Sequence, residues 1–251
     1  MNKDIANFFW DIGVPVFDCY GLTETSPAVT MNCFSAHRVG SVGKTVENVK
    51  IVIDKSIVEE GSDDGEIIVC GPNVMQGYHN RPEATEKVMT DDGGFRTGDR
   101  GCLDEDGYLH ITGRIKEQYK LSNGKYVFPA ALEEDIKLIR YVENAMIYGD
   151  GRAYNVCLVI PDFLVLEKYA KEYNLPTERE ELVNREEIRD LISGEIVKTL
   201  KGKYGGYEIP KKLLYLTEDF TLENGMITQT MKPKRHVVLE KYKDEIEELY
   251  A

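Results

Sequence analysis

One stretch limits the fold more than any other: two apolar runs, Gly101-Cys102-Leu103 and Tyr108-Leu109-His110-Ile111, separated by Asp104-Glu105-Asp106-Gly107. Short apolar runs on either side of an Asp- and Gly-containing turn predict a β-hairpin. Its open end carries Phe95-Arg96-Thr97-Gly98-Asp99 on one strand and Gly113-Arg114-Ile115-Lys116-Glu117 on the other, so Asp99 and Arg114 should meet across it. That pair has two explanations. A cross-strand surface ion pair is common and contributes at most about 1 kcal/mol. A nucleotide clamp uses the same groups differently: the carboxylate accepts both ribose hydroxyls, and the guanidinium forks onto ribose or phosphate oxygens.

The chain is long enough, at 251 residues, for one large or two modest domains with cores of their own. Its 31 Lys and Arg against 44 Asp and Glu leave a formal charge of −13, which argues against a broad electrostatic grip on nucleic acid or anionic lipid. Five scattered cysteines, Cys19, Cys33, Cys70, Cys102 and Cys157, lack close Cys-x-x-Cys spacing and read as reduced thiols of a cytoplasmic protein. The four histidines form no helical pair, so no structural metal is expected. No apolar run is long enough for a bilayer span and the N-terminus lacks a secretory pattern, leaving at most peripheral membrane contact.

Taken in order, Asn2 to Ile12 has helical apolar spacing closed by Gly13, and Val14 to Tyr20 predicts a short strand feeding the Gly21-Leu22-Thr23-Glu24-Thr25 loop. Val49 to Ile53 and Glu66 to Val69 predict antiparallel strands around a Gly61 to Gly65 turn, in a distorted, barrel-like antiparallel arrangement; a short helix is expected over Glu83 to Met89. Beyond Lys116 the pattern changes. Tyr119 to Val127 predicts a second hairpin with Asn123-Gly124 at its turn, and Pro129 opens a helix with Leu132, Ile136 and Ile139 inward and Glu133, Glu134 and Lys137 outward. Strands over Val142 to Tyr148 and Tyr154 to Ile160, helices over Phe163 to Tyr173 and Glu186 to Lys201, a strand over Lys212 to Leu216, a Glu223 to Lys234 loop and a last helix over Val237 to Tyr250 complete a small α+β domain. The expected division is 1–115 and 116–251.

Several motifs together carry a resemblance. Tyr20-Gly21-Leu22-Thr23-Glu24-Thr25, Gly65-Glu66-Ile67-Ile68-Val69, Arg96-Thr97-Gly98-Asp99, Gly113-Arg114-Ile115-Lys116-Glu117 and the Lys232 segment fall in the order of adenylate-forming acyl-CoA synthetases. Lys116 to Leu121 followed by Asn123-Gly124-Lys125-Tyr126-Val127 is most similar to the long-chain fatty acid CoA ligases. The match resembles the second half of such an enzyme: residues 1–115 correspond to the C-terminal portion of the large AMP-binding domain, and 116–251 to its small mobile C-terminal domain.

The resemblance implies ATP or AMP, Mg²⁺ and coenzyme A as cofactors, and activation of a fatty acid to acyl-AMP before transfer to coenzyme A. It implies that the Tyr20 ring covers the adenine face, that Gly21 is among the nucleotide-binding residues, that the Thr23 hydroxyl meets the α-phosphate, and that Glu24 helps hold magnesium. A π-face, a hydroxyl and a hard carboxylate suit those three tasks. Asp99 and Arg114 would hold the ribose, Lys116 would be the hinge, Gly124 would lie beside the pantetheine arm, and Lys232 would stabilise charge during adenylation. A preorganised cation of that kind is worth about 3 kcal/mol of barrier. Met231 stands where the family usually has a small residue, which keeps Lys234 open as the alternative.

Each motif also has an ordinary explanation: a capped turn for Thr23 and Glu24, packing for Tyr78, an exposed cation for Lys116, and solvated charges for Lys232, Lys234 and Arg235. The family's Thr/Ser/Gly-rich phosphate loop has no counterpart between Met1 and Ala251, so the N-terminal half is expected upstream or as a separate chain, and the chain alone is expected to be inactive. A non-catalytic nucleotide-binding module, or a degenerate remnant of the same scaffold, are the other readings.

Overall fold

The computed structural model describes residues 3–57, 63–229 and 232–251. Met231 and the Gly61 end of the expected Gly61 to Gly65 turn lie outside them. The chain falls into two compact units, Met1–Glu117 and Gln118–Ala251.

In the first unit, helix α1 (Lys3–Asp11) precedes a small antiparallel sheet of β1 (Cys19–Tyr20), β2 (Thr30–Met31) and β3 (Lys44–Thr45). A second antiparallel sheet runs in the order β4 (Lys50–Asp54), β5 (Gly65–Cys70), β6 (Phe95–Leu103) and β7 (Leu109–Arg114), with short helix α2 (Pro82–Glu86) between β5 and β6. Neither described sheet closes on itself, so the barrel-like part of the expectation gains no support. Val29, Ile51, Ile67, Val69 and Leu109 form the core beneath them. The predicted hairpin is β6–β7, and its register sets Asp99 directly opposite Arg114. Two predicted elements are shorter than expected. The strand read over Val14 to Tyr20 keeps only its last two residues. The helix expected to Met89 ends at Glu86, and Met89 instead bridges to Phe95.

The second unit opens with the hairpin β8 (Tyr119–Lys120) and β9 (Tyr126–Val127), then α3 (Pro129–Lys137), β10 (Val142–Tyr148) and β11 (Val156–Pro161). Helices α4 (Phe163–Glu172), α5 (Arg179–Asn184) and α6 (Glu186–Leu200) lead to β12 (Lys212–Tyr215), which joins β11 in parallel. Strand β11 is buried along its whole length because helices cover both faces. Its Cys157 and Val159 join Leu132, Ile136, Leu166, Ile188 and Ile192 on one side, and Val156, Leu158 and Ile160 join Val238 and Ile246 on the other. Helix α5 has no counterpart in the sequence reading. The expected final helix is two, α7 (Arg235–Lys241) and α8 (Lys243–Tyr250), broken at Tyr242.

One face was misassigned. Glu133, expected outward on α3, is 8% exposed, and Asp135 is buried beside it. The Glu133 carboxylate accepts the Ile147 N–H at 2.6 Å and the Arg235 guanidinium. Asp135 accepts the Tyr204 hydroxyl at 3.1 Å. Glu133 lies one turn beyond buried Pro129 and three residues before buried Ile136, at the edge of the apolar stripe. A partner 102 positions away, not hydrophobicity, draws it in.

Candidate functional site

The Gly21–Thr25 loop is shaped by its least conspicuous member. Thr25 is fully buried; its hydroxyl accepts the Leu22 N–H at 2.9 Å and lies 3.0 Å from the Leu22 carbonyl, which fixes a 3₁₀ turn over Thr23–Thr25. The Asn73 side chain donates to the Thr25 and Ala28 carbonyls at 3.0 and 2.9 Å. Gly21 is required by packing, since a Cβ there would lie 1.6 Å from the Pro27 carbonyl oxygen. The capped-turn explanation thus holds for Thr25, while Thr23 and Glu24 line an adjoining cleft of about 1230 Å³.

Gly21, Thr23, Glu24, Asp99, Arg114 and Lys116 all border that cleft, together with Tyr78, Arg96, Thr97 and Gly98. Asp99 is its pivot. The Tyr20 hydroxyl donates to Asp99 Oδ2 at 2.8 Å, and Arg114 Nε lies 2.9 Å from Oδ1. Each carboxylate oxygen has room for a second donor, so two further hydroxyls can bind without displacing either partner. The Arg114 side chain is 53% exposed while that of Asp99 is 7% exposed, so the acid is enclosed and the guanidinium faces solvent. Burial, first, and then the neighbouring Asp99 charge push the Tyr20 phenol well above its ordinary range, so it remains a donor at neutral pH.

Thr97 has a task that its sequence motif does not announce. The Thr97 hydroxyl donates to the Ile67 carbonyl at 2.7 Å and accepts the Asp99 N–H at 3.1 Å, which fixes the backbone of Asp99. Arg96 is committed within the unit, 2.5 Å from Glu66 and 3.0 Å from Asp54. Tyr78 donates to Glu24 Oε1 at 2.9 Å, so its hydroxyl holds a carboxylate instead of merely packing. Among the described residues no group of three or more His, Cys, Asp or Glu side chains could hold a metal ion. Glu24 is a single carboxylate, which suits Mg²⁺ when substrate phosphates supply the other oxygens.

The remaining candidates belong to the second unit. Gly124 closes the β8–β9 turn with φ +87°, and a Cβ there would meet only Lys120 Cε at 3.7 Å. The left-handed backbone alone therefore demands glycine at this position. Lys232 is exposed, and its backbone is held at both ends by one residue: its N–H donates to Thr228 Oγ1 at 3.1 Å and its carbonyl accepts the Thr228 N–H at 2.8 Å. Lys234 is half-buried and immediately precedes α7. Arg235 is no solvated cation, being bound to Glu133 and to the Ile147 carbonyl, the latter at 2.9 Å.

Residues 116–251 match the AMP-binding enzyme C-terminal domain family, and residues 1–79 match the AMP-binding enzyme family. The chain belongs to the AMP-binding enzymes. This AMP-binding enzyme chain is 35% identical over 252 residues to the long-chain-fatty-acid CoA ligase FadD15 of Mycobacterium tuberculosis, covering 100% of itself and 40% of that relative. It is likewise 35% identical over 253 residues to long chain acyl-CoA synthetase 8 of Arabidopsis thaliana, covering 96% of itself and 35% of that protein. The chain thus spans about 40% or less of the length of these curated relatives. Among solved structures, it is similar to the adenylation domain of a carboxylate reductase from Mycobacterium chelonae, with TM-score 0.78, 26% identity, and coverage of 100% of this chain and 37% of that one. It is also similar to the O-succinylbenzoate coenzyme A synthetase of Bacillus subtilis in complex with AMP, with TM-score 0.69, 26% identity, and coverage of 94% and 43%. No described helix is long and apolar enough to cross a membrane.

Proposed function

We propose that this chain forms part of an AMP-forming fatty acid CoA ligase. In this reading, residues 1–115 belong to the large nucleotide-binding domain and residues 116–251 to a small mobile domain that turns about Lys116. The observation that carries it is the Asp99 carboxylate, buried and fixed by Tyr20, Thr97 and Arg114, yet bordering an open cleft beside Thr23 and Glu24. A surface ion pair alone needs neither the burial nor the tyrosine.

Asp99 accepts the ribose hydroxyls of AMP or ATP, Arg114 turns onto ribose or phosphate oxygens, and the Tyr20 ring lies against the adenine next to Gly21. The Thr23 hydroxyl donates to the α-phosphate. Glu24 offers a carboxylate to Mg²⁺, which when bound offsets phosphate charge. The fatty carboxylate attacks the α-phosphorus, pyrophosphate leaves, and Lys232 stabilises the charge that develops on the α-phosphate oxygens. The coenzyme A thiol, passing Gly124, then attacks the acyl carbonyl of acyl-AMP and AMP departs. Fatty acid, ATP and coenzyme A are the partners, and the phosphate loop comes from the part of the ligase that this chain does not contain.

Calorimetric titration of the 251-residue chain with AMP tests the nucleotide half of this reading. Weak but saturable binding that Asp99→Ala abolishes supports it, and binding indifferent to Asp99→Ala overturns it. Thioester formation by the complete ligase tests the other half: Lys232→Ala must abolish it, while the isolated chain must form no acyl-CoA.

A further inference from the structure

The three cations of the Lys232 segment divide into two kinds. Lys232 is exposed, whereas Arg235, three residues on, is drawn inward onto two groups of other elements: the Glu133 carboxylate of α3 and the Ile147 carbonyl of β10. Glu133 also accepts the Ile147 N–H, so one β10 peptide position is held from both sides by one carboxylate–guanidinium pair. The described residues on either side of Thr230 and Met231 are joined to one another ahead of Arg235. Ile227 bridges to Pro233, the Lys234 N–H donates to the Met226 carbonyl at 2.7 Å, and Thr228 holds both backbone groups of Lys232. Lys232 thus lies in a segment anchored at the α7 end to the body of the unit by Arg235.

We infer that Glu133 and Arg235 are positioning residues for Lys232: the pair, its carboxylate buried and its guanidinium half-buried, fixes the segment's α7 end and so the direction in which the Lys232 ammonium is presented. The inference rests on the reading of Lys232 given above. Burying a carboxylate and a guanidinium is costly unless both are fully bonded, and an apolar pair would fill the space at least as well. What the ion pair adds is a fixed geometry, since Arg235 must satisfy the carboxylate and the Ile147 carbonyl at once. A misplacement of about 1 Å at a catalytic group lowers turnover by about 100-fold, so the anchor bears on rate even though it touches no substrate.

Two measurements test this. In the 251-residue chain, hydrogen exchange of the Thr228 and Lys234 amides should accelerate at least tenfold in Arg235→Ala, with the β10–β11 amides unchanged. Glu133→Gln, which keeps the carbonyl acceptor for Ile147 and weakens only the hold on Arg235, should give the same pattern to a smaller degree and serves if Arg235→Ala does not fold. In the complete ligase, ATP–pyrophosphate exchange should show kcat lowered at least tenfold by Arg235→Ala with KM for ATP unchanged, and Arg235→Lys should restore part of it. Unchanged exchange at Thr228 and Lys234, or faster exchange with unchanged kcat, overturns the positioning role. Lys232→Ala separates the two levels. If it abolishes turnover while Arg235→Ala leaves kcat intact, the positioning role alone fails; if Lys232→Ala leaves turnover intact, the assignment of Lys232 fails and the positioning role with it.

Discussion

Two of the chain's carboxylate–arginine pairs differ in almost every physical respect. Asp99 and Arg114 face each other across neighbouring strands, the acid buried and the guanidinium more than half exposed, beside a cleft. Glu133 and Arg235 come together from positions 102 residues apart, both turned inward, and their remaining bonds go to the backbone of β10. The first pair keeps acceptor capacity and a solvent-facing donor, which is what a ligand needs. The second is consumed by the fold, and what it contributes is a fixed position for the segment beside it.

Glu133→Ala should produce the largest effect of any single change at either pair. It leaves Arg235 without its carboxylate and the Ile147 N–H without an acceptor in a buried place, a loss of about 3–5 kcal/mol. Trp10, the one tryptophan, lies on α1 in the first unit, while most helical residues lie in the second. Urea unfolding followed by far-UV circular dichroism should therefore shift to lower denaturant, with the Trp10 fluorescence transition unmoved. A shift in both signals would mean that the two units do not unfold independently.

Asp99→Ala should act on the other side of the contrast. It removes the acceptor of two ribose hydroxyls, and with two charge-assisted bonds lost AMP affinity should fall about 100-fold. The unfolding midpoint should move less than in Glu133→Ala, because Arg114 returns to solvent and only the Tyr20 hydroxyl loses an acceptor in a buried place. Calorimetry and urea titration of the same preparation decide it, and equal losses of affinity and stability would erase the distinction between the pairs.

The difference explains what was legible in the sequence. Asp99 and Arg114 are fifteen positions apart, and a hairpin with a readable turn dictates their meeting, so alternation and turn chemistry sufficed. Lys116 reaches the same cleft by a short path from Arg114, whereas Thr23 and Glu24 come from the far end of the unit and were anticipated only by the family resemblance. Glu133 was placed outward because helical periodicity sorts residues by polarity, and a carboxylate at the edge of an apolar stripe is sorted with its neighbours Glu134 and Lys137. Only the topology that carries α7 back to β10 supplies Arg235, and no local pattern encodes that return. The burial of Thr25 escaped for a related reason: its hydroxyl is satisfied within its own turn, so its polarity says nothing of its exposure.

The two glycines of the candidate sites extend the contrast. Gly124 is held only by its left-handed backbone, so Gly124→Ala should cost about 1–2 kcal/mol, read by circular dichroism, and disturb no neighbour. A larger loss would place an unseen contact at the β8–β9 turn. Gly21, by contrast, has no room for a methyl group, and its replacement should disrupt the Thr23–Thr25 turn outright.

Tyr20→Phe is the gentlest way to probe the first pair. At neutral pH it deletes one donor to Asp99 and should cost about 1 kcal/mol. Its sharper signature lies in alkali. The unfolded chain's Tyr20 ionises near the ordinary value of 10.0, whereas burial keeps the folded phenol protonated well above it. Above pH 10 the unfolded state therefore binds fewer protons than the folded one, and stability falls as pH rises, by up to about 1.4 kcal/mol per pH unit from this group. Below pH 10 the contribution is fully present and flat. Following Trp10 fluorescence in urea between pH 8 and pH 11, the Phe variant should begin slightly less stable and lose stability less steeply. Parallel slopes would show that the phenol titrates as an exposed tyrosine does, and the buried donor that fixes Asp99, on which the contrast between the two pairs depends, would have to be abandoned.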